Sequence, residues 1–153
     1  WLYRGAVRAT TARFHARSGK GKDADFSAAA KSYKKAIELS PEEAEYRLAL
    51  GHFCREWAQW RAAAALPPEP ALGCALQQVS PLMTLRPAWP EVQVLDASVH
   101  LLQAQLAGPG EKRKAEAALA AEKFKAALAL NTNLTARWKS QSELAQRLTA
   151  PPR

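Results

Sequence analysis

Apolar residues along this chain recur at intervals of three and four positions, alanine is abundant and β-branched residues are scarce, which predicts helices throughout. The pattern also repeats. Aligned without gaps, "AAAKSYKKAIELSP" (28–41), "CALQQVSPLMTLRP" (74–87) and "LAAEKFKAALALNT" (119–132) superpose Ala29, Ala75 and Ala120, then Tyr33, Val79 and Phe124, then Leu39, Leu85 and Leu130. The alanines are 46 and 45 residues apart, and a small residue in the preceding stretch recurs at Gly5, Gly51 and Ala97, 46 apart each time. Each unit is therefore predicted to be a pair of helices. Self-similarity of this period marks a stacked array, in which one unit cannot cover its apolar face until its neighbour does.

The residue types suit that role. Ala or Gly lets two helix backbones approach, and an aromatic one turn further along fills the space beside it, so Tyr33 and Phe124 are the expected wedges. Ser40-Pro41-Glu42-Glu43 reads as a capping Ser, a first-turn Pro and a Glu three residues after the cap, predicting that one helix ends near Leu39 and the next starts at Pro41. A second break falls between Arg86-Pro87 and Pro90-Glu91, and Asn131-Thr132-Asn133 with Thr135 offers polar caps at a third.

At these residues the chain resembles the tetratricopeptide repeat family, whose second helix carries Ala, an aromatic, Ala and then Pro at set spacing. Ala29, Tyr33, Ala36 and Pro41 match all four places; Ala120, Phe124 and Ala127 match three, with Thr132 in the Pro place. The middle unit keeps Ala75 and Pro87 but has Val79 and Leu82 at the other two. Leu50-Gly51 fits the family's first helix, and Trp138 falls in the Trp place of a final one. The units are about a dozen residues longer than the family's usual 34. The extra length falls around 10–22, 58–70 and 100–112, which suggests an extended first helix followed by a short loop. In length and style, the units resemble the repeat tails of some bacterial serine/threonine protein kinases.

The resemblance implies an all-α, right-handed superhelical array of antiparallel helix pairs. Its units would be about 1–40, 41–86 and 87–131, with a capping helix over 134–148 and a frayed tail over 149–153. It also implies packing roles for Gly5, Ala29, Tyr33, Ala36, Gly51, Ala75, Val79, Leu82, Ala97, Ala120, Phe124, Ala127 and Trp138. A partner-binding concave groove would be lined by Leu2, Ala6, Glu45, Leu48, His52, Arg55, Glu56, Glu91, Val94, Ser98 and Leu101. The Lys, Asn and Arg that clamp a terminal carboxylate in chaperone-binding members are replaced here by Leu2, Ala6, Ala49, Glu91 and Leu95. The expected partner is instead an extended or helical segment with apolar and basic side chains, to suit Glu45, Glu56 and Glu91.

Charge sharpens the division of the chain. The net charge of +8 splits into +6 over residues 1–40, −3 over 41–109 and +5 over 110–153. Basic ends flank an acidic middle, which suits either solvated helix faces or a docking face for an acidic partner. The aromatics are not interleaved with the basic residues as in a nucleic-acid motif, so nucleic acid is not an expected partner. No run reaches the roughly 18–20 apolar residues of a membrane helix. The chain opens on Trp1 without a signal-peptide pattern, and is read as a segment of a longer protein. An intramolecular contact between the basic first unit and a domain preceding it is one expectation.

Candidate chemistry is sparse. Cys54 and Cys74 have no metal spacing with each other or with His15, His52 and His100, so they are expected to be small apolar core residues, without a disulfide framework and with a cytosolic setting. No metal, cofactor or catalytic residue is expected. Phe53, Trp57 and Trp60 form a stripe at i, i+4 and i+7, either an exposed hot spot or, as favoured here, a face covered by the following helix. "HARSGKGKDADF" (15–26) resembles a phosphate-binding loop, but Gly21-Lys22 is followed by Asp23 rather than Ser or Thr. A hairpin turn is the better reading, with Asp23 or Asp25 capping the helix behind it; an acidic small molecule or nucleotide held by this loop is the alternative. The expected function is non-catalytic protein binding within a larger bacterial signalling protein.

Overall fold

In the computed structural model, residues 1–150 are described. They form seven α-helices and one 3-10 turn, with no strand among the described residues. The helices are α1 (Leu2–Arg17), α2 (Asp23–Leu39), α3 (Ala44–Ala63), α4 (Glu69–Leu85), α5 (Pro90–Leu106), α6 (Glu111–Leu130) and α7 (Thr135–Thr149), and the 3-10 turn spans Thr132–Leu134. Contacts divide the chain after Leu85, giving a first unit with α1–α4 and a second with α5–α7. Within each unit consecutive helices pack together. Of the tail expected to fray, Thr149 closes α7, and residues 151–153 lie outside the described residues.

The repeated small and aromatic positions set the packing inside the first unit. Gly5 of α1 lies against the Tyr33 ring of α2, so close that a Cβ there would come within 3.0 Å of it. Ala9 and Ala12 continue the same face and are fully buried. Between α2 and α3 the rings of Phe26, Tyr33, Phe53 and Trp57 close up, with Phe26 stacked 5.7 Å from Phe53 and 6.3 Å from Trp57. The aromatic stripe of α3 is therefore largely buried, but its rings meet α2, the preceding helix, rather than the following one. An aromatic already stood there: Phe26 supplies the flat face that the stripe stacks on.

The cysteines depart from expectation. Cys54 of α3 and Cys74 of α4 are both buried, as small apolar residues should be, yet they form a disulfide with their Cα atoms 5.7 Å apart. The antiparallel hairpin brings facing positions to bonding distance however far apart they lie in sequence. The cytosolic setting, which rested on unpaired cysteines, loses its premise.

Two cap assignments also change. The turn after Ser40 is closed by the Glu43 N–H donating to the Ser40 carbonyl at 3.2 Å, and α3 begins at Ala44, a fully buried residue. Glu43, not Ser40, stands at the cap position, and no side chain caps the helix. At α2 neither aspartate caps; Lys22 occupies the cap position, and both aspartates reach across to other helices instead. At the last junction the Asn131 side chain accepts from the Asn133 N–H at 3.1 Å, in line with its reading as a cap.

The second unit is built around Val94, Ala97 and Leu101 of α5, Ala120, Phe124 and Ala127 of α6, and Trp138 and Ala145 of α7. Phe124 and Trp138 meet with ring centres 6.0 Å apart. No helix among the described residues is long and apolar enough to cross a membrane.

Candidate functional site

Past Ala12 the small inner face of α1 gives way to Arg13, Ala16 and Arg17, and the far end of α3 presents Glu56, Gln59, Trp60 and Ala63. Between them opens a cavity of about 490 Å³, floored by Phe26 of α2. Phe26 is buried, and the Trp60 ring stacks on it with centres 4.8 Å apart and planes inclined by 24°. Behind Trp60 lies Gly21, where a Cβ would come 2.9 Å from the indole Nε1, so the turn residue must be small for the ring to hold this place.

Charge is distributed unevenly around the cavity. Arg13 donates from Nε to Glu56 Oε2 at 2.6 Å, and its guanidinium lies 5.5 Å over the Phe53 ring. Arg17, on the rim, is exposed and has no such partner in a hydrogen bond or ion pair shown by the structure. Gln59 is exposed beside it. The wall behind is fixed by Asp23, whose Oδ1 accepts from Trp57 Nε1 at 2.8 Å and from Arg61 at 2.5 Å. An apolar floor, one internally neutralised ion pair and one free cation on the rim can hold a side chain and orient an acidic neighbour. The same arrangement offers no nucleophile with an adjacent base.

The groove residues expected from sequence divide. Leu2, Leu48, His52, Arg55, Glu56 and Glu91 are half-buried, and Ala6 and Glu45 are exposed. Val94, Ser98 and Leu101 lie in the interior, Val94 and Leu101 among the core residues of the second unit and Ser98 with its hydroxyl on the Leu95 carbonyl at 2.7 Å. A buried side chain cannot line an accessible groove, so these three serve packing. Glu56 is the one expected groove residue at the cavity, and its carboxylate is already paired with Arg13. Arg13, Arg17 and Gln59 were not anticipated. The signal that could have found them was the first-helix extension itself, which carries the lining one to three turns beyond Ala6 and His52.

The Gly-Lys turn has its own cavity of about 460 Å³, lined by His15, Lys20, Lys22 and Asp25. His15 Nδ1 lies 3.0 Å from Asp25 Oδ2. Asp23 and Asp25 stand in the first turn of α2, where a phosphate loop would offer unencumbered backbone N–H groups to an anion.

In the second unit a polar cluster around the buried Asp96 ties α5 to α6. His100 has Nδ1 at 2.6 Å from Glu116 Oε2 and Nε2 at 3.3 Å from Asp96 Oδ1, while Lys123 Nζ lies 2.7 Å from Asp96 Oδ2. The Asp96 hydrogen bond, aided by Glu116, raises the His100 pKa against its partial burial. For Asp96, burial works to raise the pKa, but hydrogen bonds from His100 and Lys123 outweigh it and hold the carboxyl below its ordinary range. With His100 protonated, two cations balance two carboxylates, the state that the hydrogen-bonded pairing favours against burial. Every member is paired, which fits a structural tie between helices.

Compared with family models, curated proteins and solved structures, the chain matches none.

Proposed function

We propose that this chain is a non-catalytic protein-binding module that takes a peptide segment into the cavity between α1 and α3. The observation that carries this reading is the half-buried Trp60 ring, backed by Phe26, beside an unpaired Arg17. An aromatic or aliphatic side chain would pack on Trp60, and an acidic neighbour would reach Arg17. The groove reading from sequence favoured a basic partner, but pairing of Glu56 with Arg13 removes that preference at this place. In the same reading the helix pairs are elongated tetratricopeptide-like units of an α-solenoid; what supports this is the recurrence of Gly5, Gly51 and Ala97 with their partner residues at a fixed period.

Trp60 reports on its own site. Titration with acidic aromatic peptides should change its fluorescence, and Arg17→Ala should weaken that binding about tenfold, as loss of a charge-assisted contact does. A basic aromatic peptide of the same length should bind more weakly. Failure of every peptide, together with nucleotide binding abolished by Lys22→Ala, would overturn the reading in favour of the Gly-Lys turn.

A further inference from the structure

The face of α1 turned away from α2 is also informative. Tyr3, Val7 and Phe14 are 82%, 48% and 68% exposed, although they are among the largest apolar side chains on the helix. With Thr10 they stand at steps of four, three and four, so they fall within a strip about 60° wide that runs about 16 Å along the helix. Tyr3 to Thr10 and Val7 to Phe14 are each seven residues, the repeat of a seam that receives another helix. The threonine hydroxyls in and beside the strip are already satisfied: Thr10 donates its hydroxyl to the Ala6 carbonyl at 3.0 Å, and Thr11 to the Val7 carbonyl at 3.1 Å.

Charge identifies the occupant. Residues 1–22 contain six Lys or Arg and no Asp or Glu. Arg8 and Arg13 turn inward, to Ala28 and Ser32 and to Glu56, leaving Arg4 and Arg17 exposed near the two ends of the strip. A second copy laid on the same face would set arginine against arginine. A bilayer surface takes a broad apolar face rather than a narrow strip. A helix with an apolar seam and Asp or Glu beside it meets both the shape and the charge.

We infer that the Tyr3, Val7 and Phe14 face of α1 is a docking surface for an acidic amphipathic helix of a partner protein. The surface meets the cavity only at Arg17, which lines the one and flanks the other; the rest of the α1 lining, Arg13 and Ala16, lies away from the strip.

The test uses two labelled synthetic helical peptides with Leu at the seam positions, one flanked by Glu and the other by Lys. Fluorescence anisotropy should show the Glu peptide binding at least about tenfold more tightly than the Lys peptide, with affinity falling as salt rises. Phe14→Ser, at an exposed position, should weaken it about tenfold without altering circular dichroism. Arg4→Glu should shift preference toward the Lys peptide. Equal binding of the two peptides, or none, would overturn the inference. So would self-association in sedimentation that Phe14→Ser abolishes, which assigns the face to a second copy. Binding to phosphatidylserine vesicles lost in Phe14→Ser, with no peptide binding, would assign it to a membrane and overturn it as well.

Discussion

The two units solve the same problem with different locks. In the first, α3 and α4 are joined covalently through Cys54 and Cys74, and α2 meets α3 through a stack of aromatic rings. In the second, α5 meets α6 through Asp96, His100, Glu116 and Lys123 around an aliphatic and alanine-rich core. A covalent lock ignores pH and answers to reductant, whereas an ionic lock does the reverse. The contrast shows that a shared helix-pair framework leaves open what fastens each pair.

Breaking the covalent lock should have the largest effect. A disulfide closing a loop of 20 residues contributes about 3 kcal/mol by restricting the unfolded chain. The Cys54→Ala, Cys74→Ala double variant should therefore lower the urea midpoint substantially, and hydrogen exchange should accelerate in α3 and α4. Exchange in α5 and α6 should be unchanged. Acceleration spread evenly over both units would show that the disulfide does not act on one hairpin alone.

The ionic lock should respond next. Lys123→Met removes a charged hydrogen bond to Asp96 and should cost the second unit about 2 kcal/mol. Because the folded pKa of His100 is raised, its stabilisation is complete below the ordinary histidine range and is lost as pH rises through the raised value. Asp96 is lowered, so its contribution is present above the ordinary carboxylate range and is lost as pH falls through the lowered value. Protection of α5 and α6 should thus be greatest in the mildly acidic window between these titrations. His100→Gln should flatten the decline on the alkaline side, and an unchanged decline would show that His100 is not its source.

Much of this arrangement could be read before the structure was known, and the rest had a readable signal of another kind. The period fixed the small and aromatic residues: Gly5 does meet Tyr33, and Ala97 does share a core with Phe124. Spacing motifs missed the locks, because Cys54 and Cys74 have no local pattern. In an antiparallel hairpin, however, facing positions are reflected about the turn, since both helices advance equally per residue. Positions 54 and 74 reflect about 64, and 100 and 116 about 108, each in the turn of its own hairpin. His15 and Asp25 reflect about 20, inside the Gly-Lys turn. Reflection would have proposed these pairs once the turns were placed. It would not have given the cavity, which draws its lining from three helices, α1, α2 and α3.

The finest distinction lies between two turns of the first unit that share one hydrogen-bond pattern. After α1, Gly19 has φ of +72° while Lys20 N–H donates to the His15 carbonyl at 2.8 Å; after α3, Ala65 has φ of +56° while Leu66 N–H donates to the Arg61 carbonyl at 2.8 Å. Both helices end through a left-handed residue, the conformation in which glycine carries no steric penalty. Alanine is strained there by about 1–2 kcal/mol, partly offset because it restricts the unfolded chain more than glycine does. Ala65→Gly should therefore raise stability by about 0.5 kcal/mol, and Gly19→Ala, which has open space for a methyl group, should lower it by a similar amount. The two turns close on different carbonyls, those of His15 and Arg61, so the double variant should return close to the parent's urea midpoint. Loss of stability in both single variants would mean that Ala65 is held by its side-chain packing rather than by the turn, and the equivalence of the two helix ends would fail.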